Sequence, residues 1–496
     1  MKYCLGVDLG TSAVKILLVD KEGKVVHEVS KSYPLIHEKS GYSEQDPEEW
    51  FQKTLAGLTE IMEVFEGEKE DIEGISFSGQ MHGLVLLNEE KQVLRNAILW
   101  NDTRTTEQCQ IIIDKAGDKL LEITKNPALE GFTLPKLLWV KQYEEEIFNQ
   151  AAVFLLPKDY LRFRLTGNIH TEYSDAAGTL LLDISKKEWS TELCELFGID
   201  SSLCPPLVES HAFVGTVTAE ITKQTGLSCK VFAGGADNAC GAIGAGILAD
   251  GKTLCSIGTS GVVLSYEEKA DKDFEGKVHY FNHGEENAYY TMGVTLAAGH
   301  SLSWFKETFA ENIGFDELLE ELNNVPIGAN GLLFTPYLAG ERTPHPDAAI
   351  RASFIGMDAA HKRRDFVRAV LEGITFSLNE SIEIFRASGK TINTIISIGG
   401  GAKNDDWLQM QADIFKARVQ KLSSEQGPGM GAAMLAAVGA GWYISLQECA
   451  EKMLQPAKEF EPIPENVTRY EVLYRIYQKV YSQTKTLSEE LTQFRK

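Results

Sequence analysis

Two aspartates stand where a carboxylate can do chemistry. Asp8 closes the apolar run Tyr3-Cys4-Leu5-Gly6-Val7 and is followed at once by Gly10-Thr11-Ser12. An aspartate at a strand end can simply hydrogen-bond the next turn. In the other reading, the N–H groups and hydroxyls of the turn cradle phosphate oxygens while the carboxylate anchors a hydrated Mg2+. Asp237 follows the run Val231-Phe232-Ala233 and the turn Gly234-Gly235-Ala236, and precedes a helical stretch from Asn238 to Ile247. That is an N-cap position. A cap seldom needs two glycines before it, however. Glycines let backbone or ligand approach closely, and a carboxylate there can face a cleft as a general base.

Three more segments carry suitable side chains. Ser78-Gly79-Gln80-Met81-His82-Gly83 lies between the apolar runs Ile75-Ser76-Phe77 and Leu84-Val85-Leu86, and suits a pocket for a polyhydroxylated ligand with one apolar wall. His82 can equally be a core histidine satisfied by hydrogen bonds. Trp100-Asn101-Asp102 ends the strand Ala97-Ile98-Leu99; the indole is either core or a surface for a sugar's C–H face. Ile398-Gly399-Gly400-Gly401-Ala402 precedes Asn404 and a helix from Trp407. It is either a tight turn or a backbone against which adenine or ribose lies flat.

The elements that must position these residues follow a pattern. Lys2 to Asp20 reads as two strands around Gly10-Thr11-Ser12. Thr253 to Tyr266 has the same layout around Gly258-Thr259-Ser260-Gly261, and Gly10 and Gly258 are 248 residues apart in a chain of 496. A first strand apolar almost throughout suits a sheet covered on both faces. The expectation is two α/β halves of one plan, 1–248 and 249–496, meeting near Leu248-Ala249-Asp250-Gly251. Pro47-Glu48-Glu49-Trp50 opens a helix, with proline and acids suited to its first turn. Apolar spacing predicts another from Arg364 to Phe385. Tyr470, Tyr474, Tyr477 and Tyr481 fall on one face of a terminal helix, which either packs on its own half or serves a homodimer.

Composition narrows the partners. A formal charge of −23 argues against nucleic acid or an anionic membrane, which such a surface repels, but not against a nucleotide held locally by N–H groups. No two of the eight cysteines are spaced as CxxC, so no zinc or redox motif is present. Asp8 interrupts the N-terminus before a secretory core can form, and no apolar run is long enough for a bilayer. The expectation is a reduced, cytoplasmic protein.

One motif is misleading. Gly246 to Thr253 spells GxxxxGK[ST]. A phosphate-binding loop of that kind follows a strand and opens a helix, so that the helix N-terminus faces the phosphates. Here the order is reversed: a helix precedes and a strand follows, and Lys252 is expected in a solvated turn. Gly244-Ala245-Gly246 with Ala249 imitates a dinucleotide fingerprint and fails for the same reason.

In this order the segments resemble the FGGY carbohydrate kinases over nearly the whole chain. Phe132-Thr133-Leu134-Pro135-Lys136-Leu137-Leu138-Trp139 resembles one family motif, and Gly373-Ile374-Thr375-Phe376 the other. Leu156-Pro157-Lys158-Asp159-Tyr160-Leu161, Ser174-Asp175-Ala176-Ala177-Gly178-Thr179 and Gly340-Glu341-Arg342-Thr343-Pro344-His345 are similar to those members that phosphorylate D-xylulose. The resemblance implies two ribonuclease-H-like domains of the actin and sugar-kinase type with an interdomain active-site cleft. It implies ATP and Mg2+, a small-molecule sugar, Asp237 as catalytic base, and Asp8 as the metal-side carboxylate acting through water. Gln80, Met81, His82, Trp100, Asp237 and Asn238 are then sugar-contacting. Thr11, Ser12, Gly258, Thr259, Gly299, Ser303, Gly400, Gly401 and Asn404 are nucleotide-contacting. Lys15 stands where some relatives carry arginine near the phosphates. Kinases of ribulose, gluconate or glycerol, and an actin-like ATPase without a sugar substrate, are the alternatives.

Overall fold

A computed structural model describes residues 1–423 and 426–495. Two large sheets dominate it. The first contains β1 (Tyr3–Leu9), β2 (Ala13–Asp20), β3 (Val25–Ser32), β4 (Ile72–Gly79), β5 (Phe213–Thr216) and β6 (Lys230–Phe232), in spatial order β5-β6-β4-β1-β2-β3. The second contains β7 (Gly251–Ile257), β8 (Gly261–Glu267), β9 (His279–Asn282), β10 (Tyr289–Thr295), β11 (Ile392–Gly399), β12 (Arg418–Leu422) and β13 (Pro456–Phe460), in order β9-β10-β8-β7-β11-β12-β13. In each, a hairpin sits at the centre with a parallel strand beside its first member: β4 beside β1, and β11 beside β7. The two halves share one plan.

Both faces of β1 are covered, which is why its residues are apolar without a break. Leu5, Val7 and Leu9 pack with Trp50 and Phe51 of α1 (Pro47–Val64), while Cys4 on the opposite face joins Leu17 and Met434. The fully buried Trp50 also donates Nε1–H to Gln45 Oε1 at 2.9 Å. Truncating such an aromatic costs about 3–5 kcal/mol.

The second half does not stay on its own sheet. The helix α8 (Gly427–Gly439) lies against β1, β4 and the helix α4 (Asp237–Gly244) of the first half. Both helices are rich in glycine and alanine, so their backbones nearly touch. A Cβ on Gly431 would stand 1.9 Å from the Cys240 carbonyl oxygen. This contact brings Gln426 beside Lys15 of the first hairpin.

Several local expectations need correction. Asp237 is the first residue of α4, not its N-cap; Ala236 holds the cap position. Lys252 lies within β7, exposed, and not in a turn. The terminal tyrosines occupy two helices, α9 (Pro464–Tyr477) and α10 (Val480–Leu491), with a break at Gln478-Lys479. Tyr470, Tyr474 and Tyr477 close on Phe376 of α6 (Arg363–Ala387), with ring centroids 5.3–6.0 Å apart, so they pack on their own half. Among the described residues all eight cysteines are free thiols, and no helix is long and apolar enough to cross a membrane.

Candidate active site

The first hairpin places Asp8 opposite Lys15 on β2. Its turn is fastened by side chains. Gln45 Nε2 donates to the Thr11 carbonyl at 2.7 Å, Trp100 Nε1 to Thr11 Oγ1 at 2.9 Å, and the Tyr33 hydroxyl to the Gly10 carbonyl. Trp100 is 46 % exposed, which overturns the core reading of that indole: it stands at the rim of the turn. Ser12 is exposed at the tip. Gln80 is buried and donates Nε2–H to Gln45 Oε1 at 3.0 Å, so its amide supports the same turn.

The second hairpin is fastened by a helix start instead. Gly299 N–H donates to the Gly258 carbonyl at 2.8 Å and His300 N–H to the Thr259 carbonyl at 3.1 Å, from the first turn of α5 (Gly299–Phe309). A Cβ at residue 299 would stand 2.4 Å from the Gly258 oxygen, so only glycine permits this approach.

Two cavities adjoin the hairpins. A crevice of 270 Å³ is lined by Asp8 and Lys15 from the first half and by Ser256, Gly399 and Gln426 from the second. Lys15 Nζ donates to Gln426 Oε1 at 2.6 Å and pairs with Glu28 at 3.2 Å. A cavity of 490 Å³ collects Gly258, Thr259, Gly299, Ser303, Gly400, Gly401 and Asn404, with Leu302, Phe315 and Leu319 as apolar wall. Asn404 also caps α7 (Asp405–Phe415), its Oδ1 accepting from Trp407 N–H at 2.9 Å.

Met81, His82, Asp237 and Asn238 lie near one another outside the lining of both cavities, with Met81 between the other two groups. Asn238 donates to Asp237 Oδ1 through its backbone N–H at 2.7 Å and its amide at 3.1 Å, and the same amide lies 3.6 Å from Met81 Sδ. Burial pushes the Asp237 carboxyl up to about 7; the Asp8 charge adds to this and the Asn238 N–H opposes it. Burial also raises Asp8, against the pull of Ser78 and Lys15. The two carboxylates therefore sit in one electrostatic field. His82 Nδ1 lies 2.7 Å from the Gly178 carbonyl oxygen. A carbonyl only accepts, so Nδ1 carries the hydrogen and Nε2 of a neutral ring keeps its lone pair. Burial, with Lys136 nearby, lowers the imidazole to about 3.

Four residues of this region escaped sequence reasoning as site residues. Thr133 and Lys136, on α2 (Thr133–Tyr143), donate to the His82 carbonyl, each at 3.0 Å, and hold residue 82 at φ 68°. The Gly178 carbonyl orients the imidazole. Tyr290 reaches from the second sheet to within 4.0 Å of Met81 Sδ. A lysine inside the apolar run Leu134 to Val140 was the available signal for Lys136. Tyr290 had none, because its partner is 209 residues away.

Two sheets of one plan, with Gly-Thr-Ser hairpins whose strands border one crevice and a glycine-lined cavity beside the second, define a sugar-kinase architecture of the ribonuclease-H-like, actin type. The chain belongs to the FGGY family of carbohydrate kinases: residues 3–244 match the family's N-terminal domain and residues 253–440 its C-terminal domain. As a carbohydrate kinase it takes ATP as co-substrate. It is 64 % identical over 498 residues to the xylulose kinase of Bacillus subtilis, covering all of both chains. Ligand-bound xylulose kinase from Lactobacillus acidophilus superposes with a TM-score of 0.94 at 28 % identity, covering 99 % of this chain and all of that one. Gluconate kinase from the same organism gives 0.92 at 29 % identity, covering 97 % and 98 %.

Proposed function

We propose that the chain transfers the γ-phosphoryl group of ATP to the terminal hydroxyl of D-xylulose, giving ADP and D-xylulose 5-phosphate. The full-length 64 % identity to a xylulose kinase carries the choice of substrate. The fold alone does not choose, since a gluconate kinase superposes about as well as a xylulose kinase.

The first half, 1–248, holds the sugar, and the second, 249–496, the nucleotide. Met81 supplies an apolar wall, and Asn238 and Trp100 flank the opening. His82 accepts a hydrogen bond from a sugar hydroxyl at Nε2. Asp237 takes the proton from the terminal hydroxyl as its oxygen bonds to the γ-phosphorus. The bond from that phosphorus to the bridging oxygen breaks, and ADP leaves with the electron pair. The turn N–H groups of Thr11, Ser12 and Thr259 face the phosphate chain, with Gly258 at the base of the second turn and Lys15 beside the first. The adenosine lies in the cavity of Gly299, Ser303, Gly400, Gly401 and Asn404. The Asp8 carboxylate, a hard oxygen donor at the crevice wall, fits a hydrated divalent cation. Asp8 would hold Mg2+ through water, and the cation's charge would offset the charge on the phosphoryl oxygens. The free thiols suit a reducing compartment, the cytoplasm.

Coupled ADP release over a panel of ketoses and polyols tests the substrate: kcat/KM is expected to be highest for D-xylulose, and a higher value for ribulose, gluconate or glycerol reverses the assignment. Asp237→Asn is expected to lower kcat by about 10²–10⁴-fold with KM for ATP near wild type. Normal turnover of the folded variant removes Asp237 as the base.

A further inference from the structure

Behind the loop that carries Asp237 lies a cluster of five charged side chains, each 0 % exposed: Lys158, Asp159, Arg162, Glu172 and Asp175. Lys158 Nζ stands 2.9 Å from Asp159, 2.9 Å from Asp175 and 3.3 Å from Glu172. Arg162 pairs with Asp159 at 3.1 Å, both on α3 (Pro157–Thr166). Removing this much charge from water costs several kcal/mol per ion unless the geometry compensates it. Apolar residues would fill the space more cheaply.

Part of the cluster's hydrogen bonding runs to the turn before Asp237. Arg162 donates to the Ala233 carbonyl at 2.7 Å. Glu172 accepts from the Ser174 N–H and hydroxyl and from the Ser210 hydroxyl, each at 2.8 Å. Ser174 Oγ in turn accepts from the Ala236 N–H at 3.0 Å, and the Ser210 carbonyl accepts from the Gly234 N–H at 2.9 Å. Every residue of the turn Ala233-Gly234-Gly235-Ala236 is thus held or closely packed. Gly234 has φ 90°, and a Cβ there would stand 2.2 Å from the Phe77 carbonyl oxygen. The residue after this turn is Asp237. Nothing the cluster touches belongs to the nucleotide cavity.

We propose that the buried cluster is a positioning device for the catalytic base, with Ser174 and Arg162 as the two positioning residues that transmit it to the 233–236 turn. The inference rests on Asp237 being the base. Burial raises the Asp175 carboxyl, ahead of the opposing pull of Lys158, so Asp175 tends to keep its proton. A block of cross-linked side chains, every one of them buried, can fix a backbone turn.

The test compares Ser174→Ala with Thr171→Val. Thr171 donates its hydroxyl to Asp159 Oδ2 at 2.6 Å and its N–H to the Pro206 carbonyl, not to residues 233–236, so its variant loses a buried hydrogen bond of the cluster without removing one from the turn. Both are expected to lower Tm. Only Ser174→Ala is expected to lower kcat on D-xylulose, by about 10–100-fold with KM for ATP unchanged, since a misplacement on the order of 1 Å can cost 10²-fold. Should Ser174→Ala fail to fold, Arg162→Lys gives the second reading: it keeps the charge at Asp159, loses the bond to Ala233, and is expected to show the same kcat loss. A kcat within twofold of that of Thr171→Val, at matched loss of Tm, overturns the proposal. Asp237→Asn in the same assay separates the two readings: an active Asp237→Asn refutes the base, whereas an inactive one beside an unaffected Ser174→Ala refutes only the positioning.

Discussion

The two Gly-Thr-Ser hairpins share a tripeptide and a place in their sheets, yet they are built for different work. Counting back two residues from each glycine gives Asp8 in the first and Ser256 in the second, and both line the same crevice. Across the strand pair, Asp8 faces Lys15 whereas Ser256 faces Val262. The first turn is wedged by Gln45, Trp100 and Tyr33; the second rests on backbone N–H groups that open a helix. The first is charged and adjustable side chain by side chain, as suits a centre where charge must be balanced. The second is neutral and packed backbone on backbone, as suits a shelf for a nucleotide. Duplicating a hairpin duplicates the N–H groups; the chemistry comes from what stands beside them.

Making the hairpins alike tests that contrast most severely. Asp8→Ser turns the first into a copy of the second and is expected to lower kcat by at least about 100-fold, the scale of losing one electrostatic stabiliser. Steady-state kinetics at saturating Mg2+ would show it, and an unchanged kcat would make the two hairpins equivalent. Gly299→Ala attacks the second hairpin alone. The added methyl collides with the Gly258 carbonyl, so the expected result is an approximately tenfold rise in KM for ATP and a stability loss of about 1–3 kcal/mol, read by kinetics and denaturant unfolding.

A smaller effect lies in the pH profile. As the proposed base Asp237 must be ionised to accept a proton, and its pKa is pushed up to about 7. Acid protonates it, so kcat/KM is expected to fall as pH drops through about 7 and to level off above. Removing the neighbouring charge in Asp8→Ser is expected to move the residual activity's acid limb to lower pH, because a carboxylate without a negative neighbour ionises more readily. The smallest effect belongs to Lys252. Exposed on β7 and outside both cavities, it is expected to leave kcat and KM for ATP within twofold on change to alanine.

Much of this was legible along the chain. Unbroken apolar residues from Cys4 to Val7 announce a strand covered on both faces, and the repeated strand–turn–strand announces a second sheet of the same plan. The false phosphate-loop motif could be dismissed from the order of its flanking elements. Trp100 was ambiguous because an aromatic after a strand suits both core and rim, and only its neighbours show which. Asp237 was read one position early in its helix, since a turn of two glycines and an alanine leaves the first helical residue undefined.

The sequence alone determined most of the elements and which residues are proposed to hold phosphate, proton or sugar, because periodicity and turn chemistry are local and act within a few residues. Only the tertiary structure decided which of them share a field. Asp8 acts on Asp237 from 229 positions away in the chain, Tyr290 meets Met81, and Gln426 meets Lys15 because a glycine-rich helix crosses onto the other sheet. Close packing between distant segments sets those distances, and the strength of a charge on its neighbour depends on distance and burial, neither of which is written along the chain.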